Sequence, residues 1–304
     1  MYLTLHTSSR SELSSAFIDK TLPYFVRELG CEFSRFADCG AGVGSSAINY
    51  ASILKEHLPK KCNNAQVYCY EPLPENFAML ERRLGNNPIF SLKKVAVSDF
   101  TGQSNFHVPS RMKGGDTWVA GTSYGGSLEE KAFGDNVVVP TVRLDQETNG
   151  SFDFIKVDLQ GGELRALKGL GEKIKDVKLI YSETQLLKDS SEVVDFLQNN
   201  GFIVFYDLLQ FGFKDPQAYV DVDSLKELGL CVSTLRVPTS DGFPLILWGH
   251  FDRAKGPKLN RSGQLEDDVK KFFVKAGLNY LQTDIIAVNV NNFNLFAQLV
   301  SDQL

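Results

Sequence analysis

The stretch Phe36-Ala37-Asp38-Cys39-Gly40-Ala41-Gly42-Val43-Gly44 decides how this chain is expected to fold. An apolar segment leads into it and a helical pattern follows, so it predicts a turn from a strand into a helix. Glycines at such a turn let the backbone approach a ligand closely, and the start of the helix offers free N–H groups. The carboxylate of Asp38 would repel a pyrophosphate but suits a cationic, zwitterionic ligand. An ordinary tight turn of an α/β protein is the alternative interpretation.

A second signal stands at the end of the next predicted strand, Gln66–Glu71. Glu71 follows Gly44 by 27 residues (71 − 44). An acid at this strand tip can accept hydrogen bonds from both ribose hydroxyls of a nucleoside. A Glu-Pro turn that merely starts a helix is the alternative. Taken together and in this order, the two features predict a nucleoside cofactor.

Composition narrows the class of protein. With 304 residues, 43% of them hydrophobic and 23% charged, the chain is long enough for one large α/β domain with an appendage. It contains no apolar run of the roughly 18 residues that a transmembrane helix needs, and Met1–Lys20 lacks the apolar core of a signal peptide. The net charge of −5 disfavours a nucleic-acid binder that relies on bulk electrostatics.

The cysteines and histidines predict neither a disulfide framework nor a metal site. The cysteine count is odd and no CxxC pair occurs, so reduced cysteines in a cytoplasmic protein are expected. The four histidines are scattered, and no pair has helical ligand spacing. The five cysteines are Cys31, Cys39, Cys62, Cys69 and Cys231.

Strands alternate with helical patterns from about residue 33 to residue 289, which predicts a mostly parallel sheet with helices on both faces. Residues 1–32 are predicted to be a helical lead-in that Gly30 can end, and residues 33–304 the main domain. The rhythm breaks in residues 208–281, which are predicted to be an insertion before the last strand, Asp284–Asn289. The other predicted strands are Ser34–Asp38, Gln66–Glu71, Ser91–Val97, Gln103–Val108, Val137–Val142, Phe152–Val157, Val177–Ser182 and Phe202–Tyr206.

Several of these segments resemble the FkbM family of methyltransferases. The resemblance covers about residues 33–207 and the last strand, and Phe152–Glu163 is its most diagnostic part. The family usually ends that motif Asp-Val-Glu-Gly-Ala-Glu, whereas this chain reads Asp-Leu-Gln-Gly-Gly-Glu, so Gln160 removes one carboxylate. Residues 208–281 match nothing in the family, which leaves the substrate open. The resembling segments are Asp38–Gly44, Tyr70–Asn76, Val95–Asp99 followed by Gly102, Val142–Asp145, Phe152–Glu163 and Ser182–Glu183.

The resemblance implies a class I methyltransferase, with a Rossmann-like, mostly parallel seven-stranded sheet and S-adenosylmethionine (SAM) as cofactor. It also implies O-methylation of a hydroxyl on a sugar, glycan or natural product. Ser98 and Asp99 would lie near the adenine, and Glu71 would hold the ribose. The residues expected to bind the cofactor are Asp38, Cys39, Gly40, Ala41, Gly42, Glu71, Pro72, Ser98, Asp99 and Asp158.

Methyl transfer to a weak nucleophile such as a hydroxyl benefits from a nearby base. Ligands of open parallel sheets bind at the carboxyl ends of the strands, so Asp158 and Glu183 are the first candidates. Glu163 and His250 come next, although Glu163 could instead sit in the first turn of a helix, where acids are favoured. Lys156 stands between apolar neighbours and is expected to pair with an acid. No metal is expected to take part.

Three other functions stay open at this point. An NAD-dependent oxidoreductase shares the early glycines and the strand-tip acid, but has no need of Asp158–Glu163. An RNA ribose 2′-O-methyltransferase would use lysines and acids around the same cleft, yet a second well-placed lysine is not evident. A non-enzymatic scaffold is the third. The expected partner is a small-molecule or glycan acceptor rather than a nucleic acid, and the oligomeric state is not predicted.

Overall fold

The computed structural model describes residues 2–4, 18, 21–62, 64–108, 128, 135–148, 150–184, 190–213, 219–221, 233–237, 245–250 and 278–292. Its strands are β1 (Tyr2–Thr4), β2 (Arg35–Cys39), β3 (Gln66–Tyr70), β4 (Phe90–Lys93), β5 (Ala96–Val97), β6 (Gly102–Val108), β7 (Asp135–Val142), β8 (Phe154–Val157), β9 (Leu179–Thr184), β10 (Phe202–Phe213), β11 (Tyr219–Asp221), β12 (Ser233–Val237), β13 (Leu245–His250) and β14 (Leu278–Asn289). Its α-helices are α1 (Leu22–Leu29), α2 (Ser45–His57), α3 (Pro74–Leu84), α4 (Glu163–Lys168) and α5 (Ser190–Asn199).

The chain forms two compact units, one of residues 26–180 and one of residues 1–25 with 181–304. In the first unit the strand order is β4-β3-β2-β8-β9, and β9 passes from this unit into the other. Strand β2 pairs parallel with β3 and β8, and β3 pairs parallel with β4. Helices α2 and α3 supply the crossovers that parallel neighbours need. The prediction of a mostly parallel sheet is confirmed.

Aromatic side chains hold β2 against β8. Phe36 of β2 lies edge-to-face on Phe154 of β8, with 5.1 Å between ring centroids, and Tyr50 of α2 packs on Phe154 at 5.3 Å. All three are fully buried. At the amino end of these strands, the Asp153 carboxylate accepts the backbone N–H groups of Ser34 and Arg35. The aromatic contacts and the Asp153 hydrogen bonds therefore fix the register of β2 against β8, so the carboxyl ends of the two strands lie side by side.

The predicted strand Ser91–Val97 is divided in two. Its first part is β4, whereas Ala96 and Val97 form β5 in a separate sheet of order β5-β7-β6. Strand β5 pairs parallel with β7, and β6 and β7 form an antiparallel pair. The cause is a small apolar core in which Ala96 packs with Leu73, Phe106 and Val139. Because Ala96 is buried in that core, β5 does not continue strand β4.

In the second unit the strand order is β9-β14-β10-β13-β12. Strand β10 is antiparallel to β14 and β13, and β13 is antiparallel to β12. Strands β12 and β13 come from the predicted insertion 208–281, so its described part adds strands to the sheet of this unit that the sequence does not predict. Strand β1 pairs with β11, so residues 2–4 of the predicted helical lead-in form a strand. Helix α1 ends just before Gly30, as predicted, and residues 5–17, 19 and 20 lie outside the described residues.

A disulfide joins Cys31 and Cys62, whose Cα atoms are 5.1 Å apart. Cys31 lies in the turn after α1 and Cys62 in the segment after α2, and the fold brings these two turns together. The prediction of reduced cysteines is therefore wrong for this pair. Cys39 and Cys69 are free and buried, and Cys231 lies outside the described residues. None of the helices in the described part of the chain is long and apolar enough to cross a membrane.

Candidate active site

The glycine turn after β2 lies directly against the segment after β8. Gly40 and Gly42 have φ angles of +84° and +54°, in the left-handed region that favours glycine. A Cβ on Gly40 would lie 2.0 Å from the carbonyl oxygen of Asp158. The backbone N–H groups of Gly40 and Ala41 both donate to the carbonyl oxygen of Tyr70. The turn is thus pinned between the ends of β3 and β8, at a spacing that excludes a side chain on Gly40.

Glu71 connects this turn to the segment after β3. Its side chain is buried, with 5% exposed. Its Oε2 accepts the N–H of Gly42 at 2.9 Å, and its Oε1 accepts the N–H of Leu73 at 2.9 Å and the amide of Asn76 at 3.4 Å. Burial raises the pKa of Glu71, although these donors act in the opposite direction. The two cofactor motifs predicted from the sequence are therefore in direct contact.

A cavity of about 220 Å³ lies where these segments meet, in the unit of residues 26–180. One wall is polar and includes the carboxylates of Glu71 and Asp158. The other is apolar and includes Phe106 together with the run Val95–Val97. The complete lining is Gly40, Gly42, Tyr70, Glu71, Pro72, Val95, Ala96, Val97, Phe106, Leu128, Asp158, Leu159, Gln160 and Gly162.

A partly buried cation, Lys156, lies between two acids at the ends of β2 and β8. The Nζ of Lys156 lies 3.5 Å from Oδ1 of Asp38 and 3.0 Å from Oδ2 of Asp158. Asp38 is fully buried beside this cation. Burial raises the pKa of Asp38, and Lys156 offsets part of that effect. Burial would lower the pKa of Lys156, but the two carboxylates raise it well above its ordinary value, so Lys156 stays charged.

Asp158 is held from both sides. Lys156 donates to its Oδ2, and the amide Nε2 of Gln160 donates to its Oδ1 at 3.1 Å. The Asp158 side chain is 31% exposed, so it is also accessible from the cavity that it lines. Gln160 has a φ angle of +57° and is the one non-glycine residue with positive φ in the part of the chain that the structure describes. The two ion pairs of Lys156, with Asp38 and with Asp158, confirm the pairing with an acid that the sequence predicts.

Glu163 closes the loop that carries Gln160. Its Oε1 accepts the N–H of Leu159 at 2.9 Å, and its Oε2 accepts the N–H of Gly161 at 2.9 Å. The side chain is buried, with 6% exposed, and is not part of the cavity lining. Burial raises the pKa of Glu163, against the effect of these backbone donors. The geometry favours the structural interpretation of this acid over the catalytic one.

Some predicted cofactor residues lie away from the cavity lining. The side chain of Cys39 is fully buried in the sheet, and Ala41 is buried under the turn. Ser98 is buried, and Asp99 is bonded to Nε of Arg165 at 3.1 Å. Asp38 is also outside the lining, beneath the glycine turn.

The apolar wall was not predicted from the sequence. Val95, Ala96 and Val97 line the cavity, whereas Ser98 and Asp99 are not part of its lining. The apolar run Val95–Val97 is the available signal, but such a run equally predicts the interior of a strand. Phe106 and Leu128 belong to segments that carry no sequence signal for a position near the turn.

The remaining candidate bases lie in the second unit. Glu183 lies near the end of β9, and its side chain is half-buried. His250 ends β13, and its side chain is outside the described residues. Within residues 26–180 the structure brings Asp38, Lys156 and Asp158 together. No group of three or more His, Cys, Asp or Glu side chains that could hold a metal ion occurs among the described residues.

Comparison with known proteins points to one family. The family model of the methyltransferase FkbM domain matches residues 38–204, more than half of the chain. A curated relative, the 2-O-methyltransferase NoeI of Sinorhizobium fredii, is 29% identical in an alignment of 160 residues that covers 48% of this chain. The chain spans 61% of the length of that relative.

Solved structures of methyltransferases are also similar to this chain. A methyltransferase FkbM from Methylobacillus flagellatus has 15% identity and a TM-score of 0.39, covering 72% of this chain and 44% of that one. The magnesium protoporphyrin IX methyltransferase of Synechocystis, solved with bound SAM, has 8% identity and a TM-score of 0.36, covering 88% and 76%. Both TM-scores are low, so the fold assignment rests on the strand order of this chain.

Proposed function

The chain belongs to the FkbM methyltransferase family, and we propose that it transfers a methyl group from SAM to a hydroxyl of a sugar, glycan or natural-product-like small molecule. The observation that carries the proposal is the position of Asp158. Its partly exposed carboxylate lines the same cavity as Gly40, Gly42 and Glu71, which bear the cofactor motifs. Transfer to oxygen is further supported by the name of the relative NoeI, a 2-O-methyltransferase.

The residues around the cavity fit SAM. Glu71 would hold the ribose through Oε2, which accepts the N–H of Gly42 and keeps a second lone pair, whereas Oε1 already accepts from Leu73 and Asn76. Gly40 and Gly42 leave room for the methionine end. The run Val95–Val97 and Phe106 offer an apolar surface that suits the adenine. Asp38 lies outside the lining, so it would act on the positive end of the cofactor through its field rather than by contact.

SAM, when bound, supplies a methyl group on a positively charged sulfur. The chain then has to orient the acceptor hydroxyl and take up its proton. We assign the proton to Asp158, whose partly exposed carboxylate lines the cavity and is oriented by Lys156 and Gln160. Glu183, after the following strand, is the second candidate base. Glu163 serves to close the loop, since backbone donors occupy both of its oxygens.

Two alternative functions lose support. Because the chain belongs to a methyltransferase family, an NAD-dependent oxidoreductase function is no longer supported. An RNA ribose 2′-O-methyltransferase would need a lysine that can reach its substrate, whereas Lys156 is 13% exposed and bound by two carboxylates. The net charge of −5 also disfavours a nucleic-acid substrate.

The cellular location stays a prediction. A cytoplasmic protein was expected from the cysteine pattern. The Cys31–Cys62 disulfide weighs against that location, because disulfides are rare in the reducing cytosol.

A transfer screen tests the proposed function. The chain is incubated with tritiated SAM and, separately, with free sugars, glycolipids, hydroxylated metabolites and RNA. We expect label in an alkali-stable ether on a hydroxylated small molecule or glycan, and no label with Asp158→Asn. Label in RNA alone, or on a nitrogen or sulfur atom, would contradict the proposal. Calorimetry of the dialysed chain with SAM and with NAD separately tests the cofactor.

A further inference from the structure

The two oxygens of Asp158 receive donors of different kinds. Lys156 brings a positive charge to Oδ2 at 3.0 Å, and Gln160 brings a neutral amide to Oδ1 at 3.1 Å. A carboxylate bonded at both oxygens cannot rotate about its Cβ–Cγ bond without breaking one of the two bonds. The orientation of Asp158 in the cavity wall is therefore set by both neighbours.

The backbone of Gln160 is held in a conformation that side chains disfavour. Its φ of +57° lies in the left-handed region, where glycine would be relaxed. The loop keeps this conformation because Glu163 binds the N–H groups on either side, those of Leu159 and Gly161. Strained residues that persist in this way cluster at functional sites. A glycine would relieve the strain but could not supply the amide that Asp158 accepts.

Charged and titratable groups surround Asp158. They include Lys156 on β8, Asp38 on β2, Tyr50 on α2 and Glu163 on α4. Of these four groups, Lys156 is the cation. A glutamate at position 160 would place another carboxylate within hydrogen-bond distance of Asp158, and two like charges there cannot both stay ionised. The neutral amide of Gln160 gives a hydrogen bond without that repulsion.

We propose that Gln160 is a positioning residue, which clamps Asp158 together with Lys156 so that the carboxylate stays ionised and turned toward the acceptor hydroxyl. The inference rests on the proposed role of Asp158 as the base. The clamp consists of the bonds from Lys156 and Gln160 to Asp158. Because these bonds lie within the chain, the clamp exists without cofactor or acceptor. It can therefore be measured separately from methyl transfer.

The clamp is tested by following the carboxyl carbon of Asp158 by NMR. The full chain is labelled with ¹³C at aspartate carboxyl groups, and the Asp158 signal is identified by its loss in Asp158→Asn. We expect the midpoint of its titration to rise by about one pH unit or more in Gln160→Glu, because of the added charge. Gln160→Leu, which removes only the donor, should raise it less. Gln103→Glu adds the same charge at an exposed site on β6 and should leave it unchanged.

The acidic limb of the pH–rate profile should move with the NMR midpoint. An unchanged midpoint in both Gln160 variants would overturn the clamp, while leaving the proposed methyl transfer intact. Full transfer activity in Asp158→Asn would instead remove Asp158 as the base, and the positioning role of Gln160 with it. If Gln160→Glu fails to fold, Gln160→Leu alone decides between these outcomes.

Discussion

The backbone N–H of Gly42 donates a hydrogen bond to the carboxylate of Glu71 at 2.9 Å, and so joins two motifs that are 29 residues apart in the sequence. The bond makes the glycine turn and the Glu-Pro segment one structural unit. A change at Glu71 therefore acts on the predicted ribose contact and on the shape of the turn at once.

Glu71→Ala is expected to weaken SAM binding by about 1–3 kcal/mol, the loss that follows removal of a charged hydrogen-bond partner. Calorimetry at constant pH measures it. Glu75→Gln, an exposed change in the first turn of α3, is the matched control and should bind as the wild type does. Equal affinities of Glu71→Ala and the control would remove Glu71 from the cofactor site.

Gly40→Ala is expected to destabilise the chain by roughly 2 kcal/mol or more, because a side chain at this position strains the backbone and clashes with neighbouring atoms. The new Cβ would lie 2.0 Å from the carbonyl oxygen of Asp158, and φ is +84°. Gly102→Ala is the control, because a Cβ there would meet Phe100 at 3.7 Å, an ordinary contact. Urea unfolding compares the two variants. Similar losses in both would show that the close approach at Gly40 does not matter.

The glycine turn and Glu71 could be predicted because each is a local signal at the end of a strand. The contacts that organise the site could not. The bond from Gln160 to Asp158 depends on a left-handed backbone that Glu163 holds in place. The split of Ser91–Val97 arises from burial of Ala96 in a core built from distant segments.

Reduction of the Cys31–Cys62 disulfide is expected to cost about 3 kcal/mol of stability, because a closed loop restricts the unfolded chain. The two cysteines are separated by 31 residues, and the loop between them contains β2, the glycine turn and α2. Cys31→Ser and Cys62→Ser should lose similar stability, and reductant should affect neither further. Mass spectrometry of the alkylated protein counts the free thiols. Two alkylated thiols at Cys31 and Cys62 before reduction would contradict the bridge.

The free energy of unfolding is expected to increase as the pH decreases from neutral toward the ordinary pKa values of three buried acids. Burial raises the pKa values of Asp38, Glu71 and Glu163 above their ordinary values in the folded chain. An acid with a raised pKa binds its proton more tightly when folded, so its contribution is present below the ordinary pKa and is lost as pH rises through the folded pKa.

Asp99 and Glu172 have lowered pKa values in the folded chain. Their contribution to stability is lost only when the pH falls below their ordinary pKa values of 3.8 and 4.5. The two effects therefore fall in different pH windows. Urea unfolding at several pH values measures the slope, and Glu163→Gln should make it shallower. A stability that decreases steadily as the pH falls from neutral toward the ordinary pKa values of the buried acids would show that these acids are not held as the structure places them.

The last prediction concerns the base. Asp158→Asn and Glu183→Gln should each preserve SAM binding, because neither removes Glu71 or the glycine turn. Transfer should decrease by about 10²–10⁴-fold for whichever acid takes the proton. The geometry favours Asp158, since Lys156 keeps it beside a positive charge and the cavity reaches it. Initial rates at saturating SAM, measured together with calorimetric SAM affinity, separate loss of the base from loss of the cofactor.

Two acids could also hold magnesium, for which oxygen ligands are suited. Wild-type transfer should survive chelation by EDTA, and activity that EDTA abolishes and magnesium restores would make these acids metal ligands instead.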